Sequence, residues 1–398
     1  MTPAEHTRHA TRADLRAALR DARATLRARI DDLTDAQWQV PYGPGLNPIA
    51  WEAAHVAWFA ETWTRRGPHR LDDDGLVYAA LPPRIAGPDA TLDSARLAHA
   101  DRWRAPLPAR RAVEAMLDAQ LADTLVALDE LPDDGDATLY VHRLALAHED
   151  MHAEAFAWLR GALGYAAPAG LALPAAAAAP PLRFGAACVR LGFCSDEPGF
   201  HFDNECEGPE VELAPFEIDA APVTAGRFAE FVDAGGYTRE DFWPGAAGRW
   251  RAASGATHPA RWRRAVGGGW EARWFDRWPP LDPAQPVVHV NAYEAEAFCR
   301  WAGRRLPRAA EWEYAIRREP ALHCAGRVWE WTADDFLPYP GFVPHRYHDY
   351  SKPWFGNHRE LRGGSCGAPA RLHHPRFRNF FTPERTDIFA GFRTAADE

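Results

Sequence analysis

The chain has no apolar run approaching the roughly 20 residues that span a bilayer. Its start, Met1-Thr-Pro-Ala-Glu-His6, has no apolar stretch of the signal-peptide kind. A cytoplasmic protein without a membrane partner is the expectation. Positive charge is not in excess: 45 basic residues against 55 acidic ones leave a net charge of −10, which argues against a general nucleic-acid role. The six cysteines, Cys188, Cys194, Cys206, Cys299, Cys324 and Cys366, contain no Cys-x-x-Cys pair. They read as free thiols in a reducing compartment rather than as a disulfide or zinc framework. From Leu182 on, no tandem repeat is apparent.

What is present begins with His148-Glu149-Asp150-Met151-His152-Ala153-Glu154. Residues 137–159 contain no proline or glycine, and a helix is the reading. His148 and His152 then lie one turn apart and face the same side, as two imidazoles of a metal site would. Glu154 falls about 240° around from His148, so it is not their partner at the metal. Glu154 and Glu149 read instead as carboxylates behind the ligands or on the surface, since a ligating imidazole usually donates its other N–H to such a group.

His148-Glu149-x-x-His152 also matches the zinc-protease pattern. One common continuation of that pattern asks for a glycine and a third histidine where this chain has Ala155 and Trp158. No acidic residue follows between Glu154 and Asp196. The third ligand comes from upstream. Residues 49–63 form a helix opened at Pro48, with Asn47 as its expected cap. On it Trp51, His55, Trp58 and Phe59 share one face, which turns His55 inward. His55, His148 and His152 are therefore the expected metal ligands.

Further helices are expected over 11–31 and 109–129, giving an antiparallel four-helix bundle with a metal between its helices, about residues 1–163. Residues 71–108 read as irregular. An Ala/Pro-rich linker, 164–182, precedes a second domain, 183–398, of short strands, turns and two convincing helices, Ala225–Asp233 and Ala292–Ala302. With 398 residues the chain has room for both cores, and the 17 tryptophans, concentrated in the second half, suit a loop-rich fold packed by aromatics. The fold class is α+β in two domains.

Several stretches of the second half resemble the formylglycine-generating-enzyme domain, a C-type-lectin-like fold. They include Phe202-Asp-Asn-Glu205, Pro222-Val-Thr224, Arg305-Leu-Pro-Arg-Ala-Ala-Glu-Trp-Glu-Tyr314, Val328-Trp-Glu-Trp-Thr332, Leu361-Arg-Gly-Gly-Ser365 and Gly391-Phe-Arg393. The first half resembles the DinB-like bundle through Trp51-x3-His55 and His148-x3-His152-x-Glu154. The combination resembles the non-haem iron sulfoxide synthases of ergothioneine and ovothiol biosynthesis. That resemblance implies Fe(2+) on the three histidines, O2 as co-substrate and hercynine as acceptor.

Two departures stand out. The arginine segment that grips the donor's carboxylates in the ergothioneine enzymes has no match in Asp93 to Pro108. Phe336 stands at the first tyrosine of the family's Tyr-x-Pro-Tyr-Pro-Gly-Phe stretch, with Tyr339 kept at the second. With the Tyr347-to-Gly356 stretch, these look most like the selenoneine synthase branch, which couples hercynine to a selenosugar. Under that resemblance Tyr339 is the candidate catalytic residue. Trp329, Trp331, Tyr339, Phe380 and Phe381 are candidate walls for the quaternary ammonium, Phe336 a further substrate-binding candidate, Arg378 and Asn379 candidate partners of the carboxylate or imidazole, and Asp387 an offset to the cation.

Alternatives remain open here. They are the same chemistry with a thiol donor such as γ-glutamylcysteine, a zinc-dependent thiol transferase of DinB type, and a lectin-like binding module. Partners are small molecules, and a monomer or small homo-oligomer is expected.

Overall fold

The computed structural model describes every residue except 177, 178, 195, 323–325 and 398. Cys324 and two positions of the expected linker lie outside the described residues; the other five cysteines form no disulfide among the described residues. The two-domain α+β expectation holds. The chain forms two compact units, Met1–Leu159 with 196–201 and 344–350, and Arg160–Ser195 with 202–343 and 351–398. The division falls a helical turn earlier than the expected 163, and two short distant segments group with the helices.

In the first unit a short α1 (Pro3–Arg8) leads into α2 (Arg12–Ile30), which Thr11 and Asp14 cap reciprocally. Next come α3 (Ile49–Arg65), the hairpin β1 (His69–Leu71) and β2 (Val77–Ala79), and α4 (Asp89–Leu92). The region expected to be irregular thus holds short elements. The long helices α5 (Arg110–Asp129) and α6 (Asp136–Leu163) complete the bundle. Leu15, Leu19 and Ala22 of α2 meet Leu125 and Leu128 of α5 and Leu139 and Leu146 of α6. Those spacings of three and four residues put one apolar stripe per helix into a common core.

The start of α3 differs from expectation. Pro48, not Asn47, occupies the cap position, and no side chain caps the helix. The Asn47 amide instead donates to Glu52 and accepts from Arg102.

The second unit contains β3 (Leu182–Phe184), β4 (Ala187–Arg190), β5 (Glu210–Leu213), β6 (Phe216–Ile218), α7 (Ala225–Asp233), α8 (Ala246–Ser254), β7 (Trp262–Arg264), β8 (Trp270–Ala272), α9 (Ala292–Trp301), α10 (Ala309–Arg318), β9 (Trp329–Asp335), β10 (Arg359–Gly363), β11 (Asn379–Phe381), β12 (Ala390–Gly391) and β13 (Ala395–Asp397). Helices α8 and α10 were not anticipated. The largest sheet has the order β11-β10-β9-β12, with β12 parallel to β9 and the other pairs antiparallel. A second sheet runs β13-β6-β3.

Buried ion pairs tie this loop-rich unit together. Glu330 on β9 accepts from both the Nε and Nη2 of Arg393 and from Trp312 Nε1 on α10. The Trp-Glu-Trp, Glu-Trp-Glu and Gly-Phe-Arg stretches therefore meet at one carboxylate.

Candidate metal centre

Helix α3 carries His55, and α6 carries His148 and His152. One ring nitrogen from each lies within 4.8 Å of the others. The ring centroids are 5.1 Å apart for His55 and His148, 5.2 Å for His55 and His152, and 4.5 Å for His148 and His152. His55 and His148 are buried, while His152 is half-buried.

Each ring is held by its surroundings. His55 is stacked between Trp51 at 4.9 Å and Trp58 at 5.6 Å, and its Nδ1 meets the Leu92 carbonyl at 2.7 Å. His152 Nδ1 meets the Glu52 carboxylate at 2.8 Å. With Nδ1 as donor in both, the Nε2 lone pairs are left to converge. His148 lies flat on Phe59, 3.6 Å between centroids, and its Nδ1 has no hydrogen-bond partner among the described residues. Burial, and then the charge of His152, push the His55 and His148 rings well below their usual pKa. Both are neutral at pH 7, the form that ligates a metal.

Three imidazoles with no carboxylate among them suit a borderline divalent ion such as iron or zinc. The trio thus fits the metal that the sequence resemblance implies.

The carboxylate behind the triad is Glu52, which the sequence reading did not single out. It lies three residues before His55, and its helical spacing was the available signal. Glu149 is turned away: Arg23 Nε holds it at 2.5 Å with both side chains buried. It is therefore not placed as a protease general base. Glu154 is buried, and the carboxylate recorded on a ligand imidazole is that of Glu52.

The second-unit candidates are distributed unevenly. Arg378 gives Nε and Nη2 to Glu360 at 3.0 and 2.7 Å, Nη1 to the Asn204 carbonyl, and Nη2 to the Leu337 carbonyl. Four hydrogen bonds of Arg378 are thus made inside the protein, and it is a buried ion-pair residue. Trp329, Trp331 and Phe336 are 1%, 0% and 0% exposed. Trp331 Nε1 donates to the Val290 carbonyl, and Phe336 stacks on Phe380 at 4.2 Å.

Asp387 is held by Arg385 at 2.6 and 2.7 Å, so its charge is already matched. Asn379, Phe380 and Phe381 are half-buried on β11 and keep exposed surface. Tyr339 is buried under Arg378, whose guanidinium lies 4.0 Å from the ring, and its hydroxyl accepts a 3.3 Å bond from Arg362. Burial pushes that phenol up to about 12.

Residues 18–156 match the DinB superfamily, and residues 188–398 match the sulfatase-modifying factor enzyme 1-like domain. A hercynine oxygenase of Mycobacterium tuberculosis is 33% identical over 94% of this chain and 97% of its own length. The chain belongs to the hercynine oxygenase family. A second hercynine oxygenase, from Mycolicibacterium thermoresistibile, is 31% identical over 97% of this chain and 95% of its own. A formylglycine-generating enzyme of Streptomyces coelicolor is 28% identical over half of this chain. As a family member the protein is an enzyme, an oxidoreductase of the ergothioneine-biosynthesis type. Among the described residues no helix is long and apolar enough to cross a membrane.

Proposed function

We propose that this enzyme joins the imidazole C2 of hercynine to a selenosugar in an Fe(II)- and O2-dependent reaction, giving a selenoxide; elimination of the sugar to a selenenic acid and its two-electron reduction by an external thiol then lead to selenoneine. The reaction balances. The C2–H and Se–H bonds break, a C–Se bond and a selenoxide oxygen form, and O2 takes up four electrons to supply that oxygen and one water. His55, His148 and His152 would hold the iron, which supplies a place to activate O2 beside the chalcogen donor. The chain's own contribution is to hold three imidazoles in an aromatic-walled setting. Of the second-unit candidates, Asn379 and Phe380 retain surface with which to meet hercynine. Tyr339, kept protonated by burial, is proposed to donate a hydrogen bond or proton.

The observation that carries the selenium reading is what the arginines of the Asp93–Pro108 segment do. Arg96 is paired with Asp72 at 2.6 Å and Asp93 at 3.2 Å, Arg104 with Asp101, and Arg102 with Asn47. Arg96 and Arg104 are thus each paired with carboxylates and Arg102 is hydrogen-bonded to Asn47, an arrangement that supports a donor other than a dicarboxylate.

The second reading is the same bond formation with sulfur from cysteine or γ-glutamylcysteine, favoured by the near full-length similarity to hercynine oxygenases. A competition assay separates them. Protein loaded anaerobically with Fe(II) receives hercynine, a selenosugar and γ-glutamylcysteine, then O2, and products are read by mass. A selenium adduct is expected. A sulfur adduct alone overturns the selenium reading and keeps the family chemistry. No adduct and no O2 uptake would point instead to a zinc thiol transferase.

A further inference from the structure

Arg102 sits in the short 3₁₀ turn His99–Trp103, remote in sequence from the three histidines, yet an unbroken line of hydrogen bonds joins it to one of them. Its Nη1 donates to Asn47 Oδ1 at 2.8 Å, Asn47 Nδ2 donates to Glu52 Oε2 at 3.1 Å, and Glu52 Oε1 meets His152 Nδ1 at 2.8 Å. The polarity of this line is fixed. A guanidinium only donates and a carboxylate only accepts, so the Asn47 amide has one orientation that satisfies both. Glu52 is 2% exposed, so water does not stand in for these partners.

Arg102 touches the site a second way. Its guanidinium lies 4.0 Å from the Trp51 ring centre, and Trp51 stacks on His55 within 8° of parallel. No carboxylate pairs with Arg102 among the described residues, and its Nε is buried without a hydrogen bond. The charge of Arg102 is thus directed at the triad's surroundings rather than neutralised locally.

We propose that Arg102, acting through Asn47 and Glu52, is a positioning residue that sets how strongly His152 donates to the metal. The inference rests on the reading of the triad as an iron site. Glu52 draws on the His152 N–H and enriches the ring that faces the metal. The cation at the far end polarises the Asn47 amide, whose N–H takes up part of the carboxylate's charge and weakens that draw. Loss of Arg102 or Asn47 leaves Glu52 pulling harder on His152, which favours the oxidised metal. Loss of the Glu52 charge does the reverse.

The opposite signs make the test. Fe(II) affinity and the midpoint potential of the bound iron are measured for the wild type, Arg102→Met, Arg102→Lys, Asn47→Ala and Glu52→Gln. The expected result is a lower potential in Arg102→Met and Asn47→Ala, a higher one in Glu52→Gln, and recovery toward wild type in Arg102→Lys. Glu52→Gln is also expected to lose about tenfold to a hundredfold in Fe(II) affinity. An unchanged potential in both Arg102→Met and Asn47→Ala, or a shift in the Glu52→Gln direction, overturns the proposal. Asn47→Ala keeps it testable should Arg102→Met fail to fold. A wild type that binds no Fe(II), or binds it equally well as His152→Ala, removes the iron reading itself and is told apart from the other outcomes by affinity alone.

Discussion

Arg23 and Glu149 form a buried pair across the bundle, with Arg23 Nε 2.5 Å from Glu149 Oε1 and both side chains at most 5% exposed. Arg23 also donates to the Leu117 carbonyl and to Gln120 Oε1. Since Glu149 directly follows His148, this pair fixes the rotation of α6 at the point where its histidines must face α3. Removing the cation alone strands a buried carboxylate. Arg23→Met is therefore expected to cost about 3–5 kcal/mol of unfolding free energy, with much of it restored in Arg23→Met/Glu149→Leu. Urea melts of the two variants decide this; a double variant no more stable than the single one would show that the pair does more than satisfy itself.

The triad predicts a sharper pattern for metal content. His55→Ala, His148→Ala and His152→Ala should each reduce bound Fe(II) from about one per chain to near zero and bring product formation to background. Far-UV circular dichroism should stay close to wild type, since α3 and α6 are held by apolar stripes independent of the imidazoles. Full metal content in any one variant removes that histidine from the set.

The histidines were legible because their geometry is local. A spacing of four places His148 and His152 on one helix face, and the aromatic company of His55 turns it inward. Glu52 was not, because its partner is 100 residues away and only the packing of α3 on α6 brings the two together. The second unit is less legible. Arg378, Trp329 and Trp331 belong to motif-rich stretches that suggested a ligand pocket. In the structure the arginine balances Glu360 and the tryptophans fill the core. A fold with short strands depends on such buried pairs, and a sequence motif does not distinguish a side chain that holds the fold from one that meets a ligand. The grouping of 344–350 with the helical unit was invisible for a related reason, since composition does not report long-range association.

Glu294 on α9 gives a pH dependence. Its carboxyl is fully buried, accepts from the Tyr237 hydroxyl at 2.5 Å and from the Asn291 backbone N–H at 2.9 Å, and burial pushes it up to about 7. The folded state therefore keeps this proton after the unfolded chain has lost it near 4.5. The stability this gives is present at pH below 4.5 and is lost as pH rises through 7, at a cost on the order of 3 kcal/mol. Glu294→Gln cannot ionise and retains hydrogen-bonding atoms at both positions. Its melting temperature relative to wild type should rise between pH 5 and pH 8.5. An equal difference at the two pH values would show that the carboxyl is ionised throughout.

Tyr339 makes a prediction about rate rather than stability. Its hydroxyl takes only a 3.3 Å bond from Arg362, so Tyr339→Phe should change the unfolding free energy by about 1 kcal/mol or less. Pushed up to about 12, the phenol is protonated at every pH between 6 and 9. Whatever it contributes as a donor is then constant across that range. If Tyr339 serves the reaction, kcat for Tyr339→Phe falls about 10²- to 10⁴-fold, and the ratio to wild type stays flat with pH. A ratio that bends near pH 7 or 8 would mean that another group carries the proton. An unchanged kcat would place Tyr339 with Arg378 and Glu360 as part of the ion-pair core that holds the second unit together.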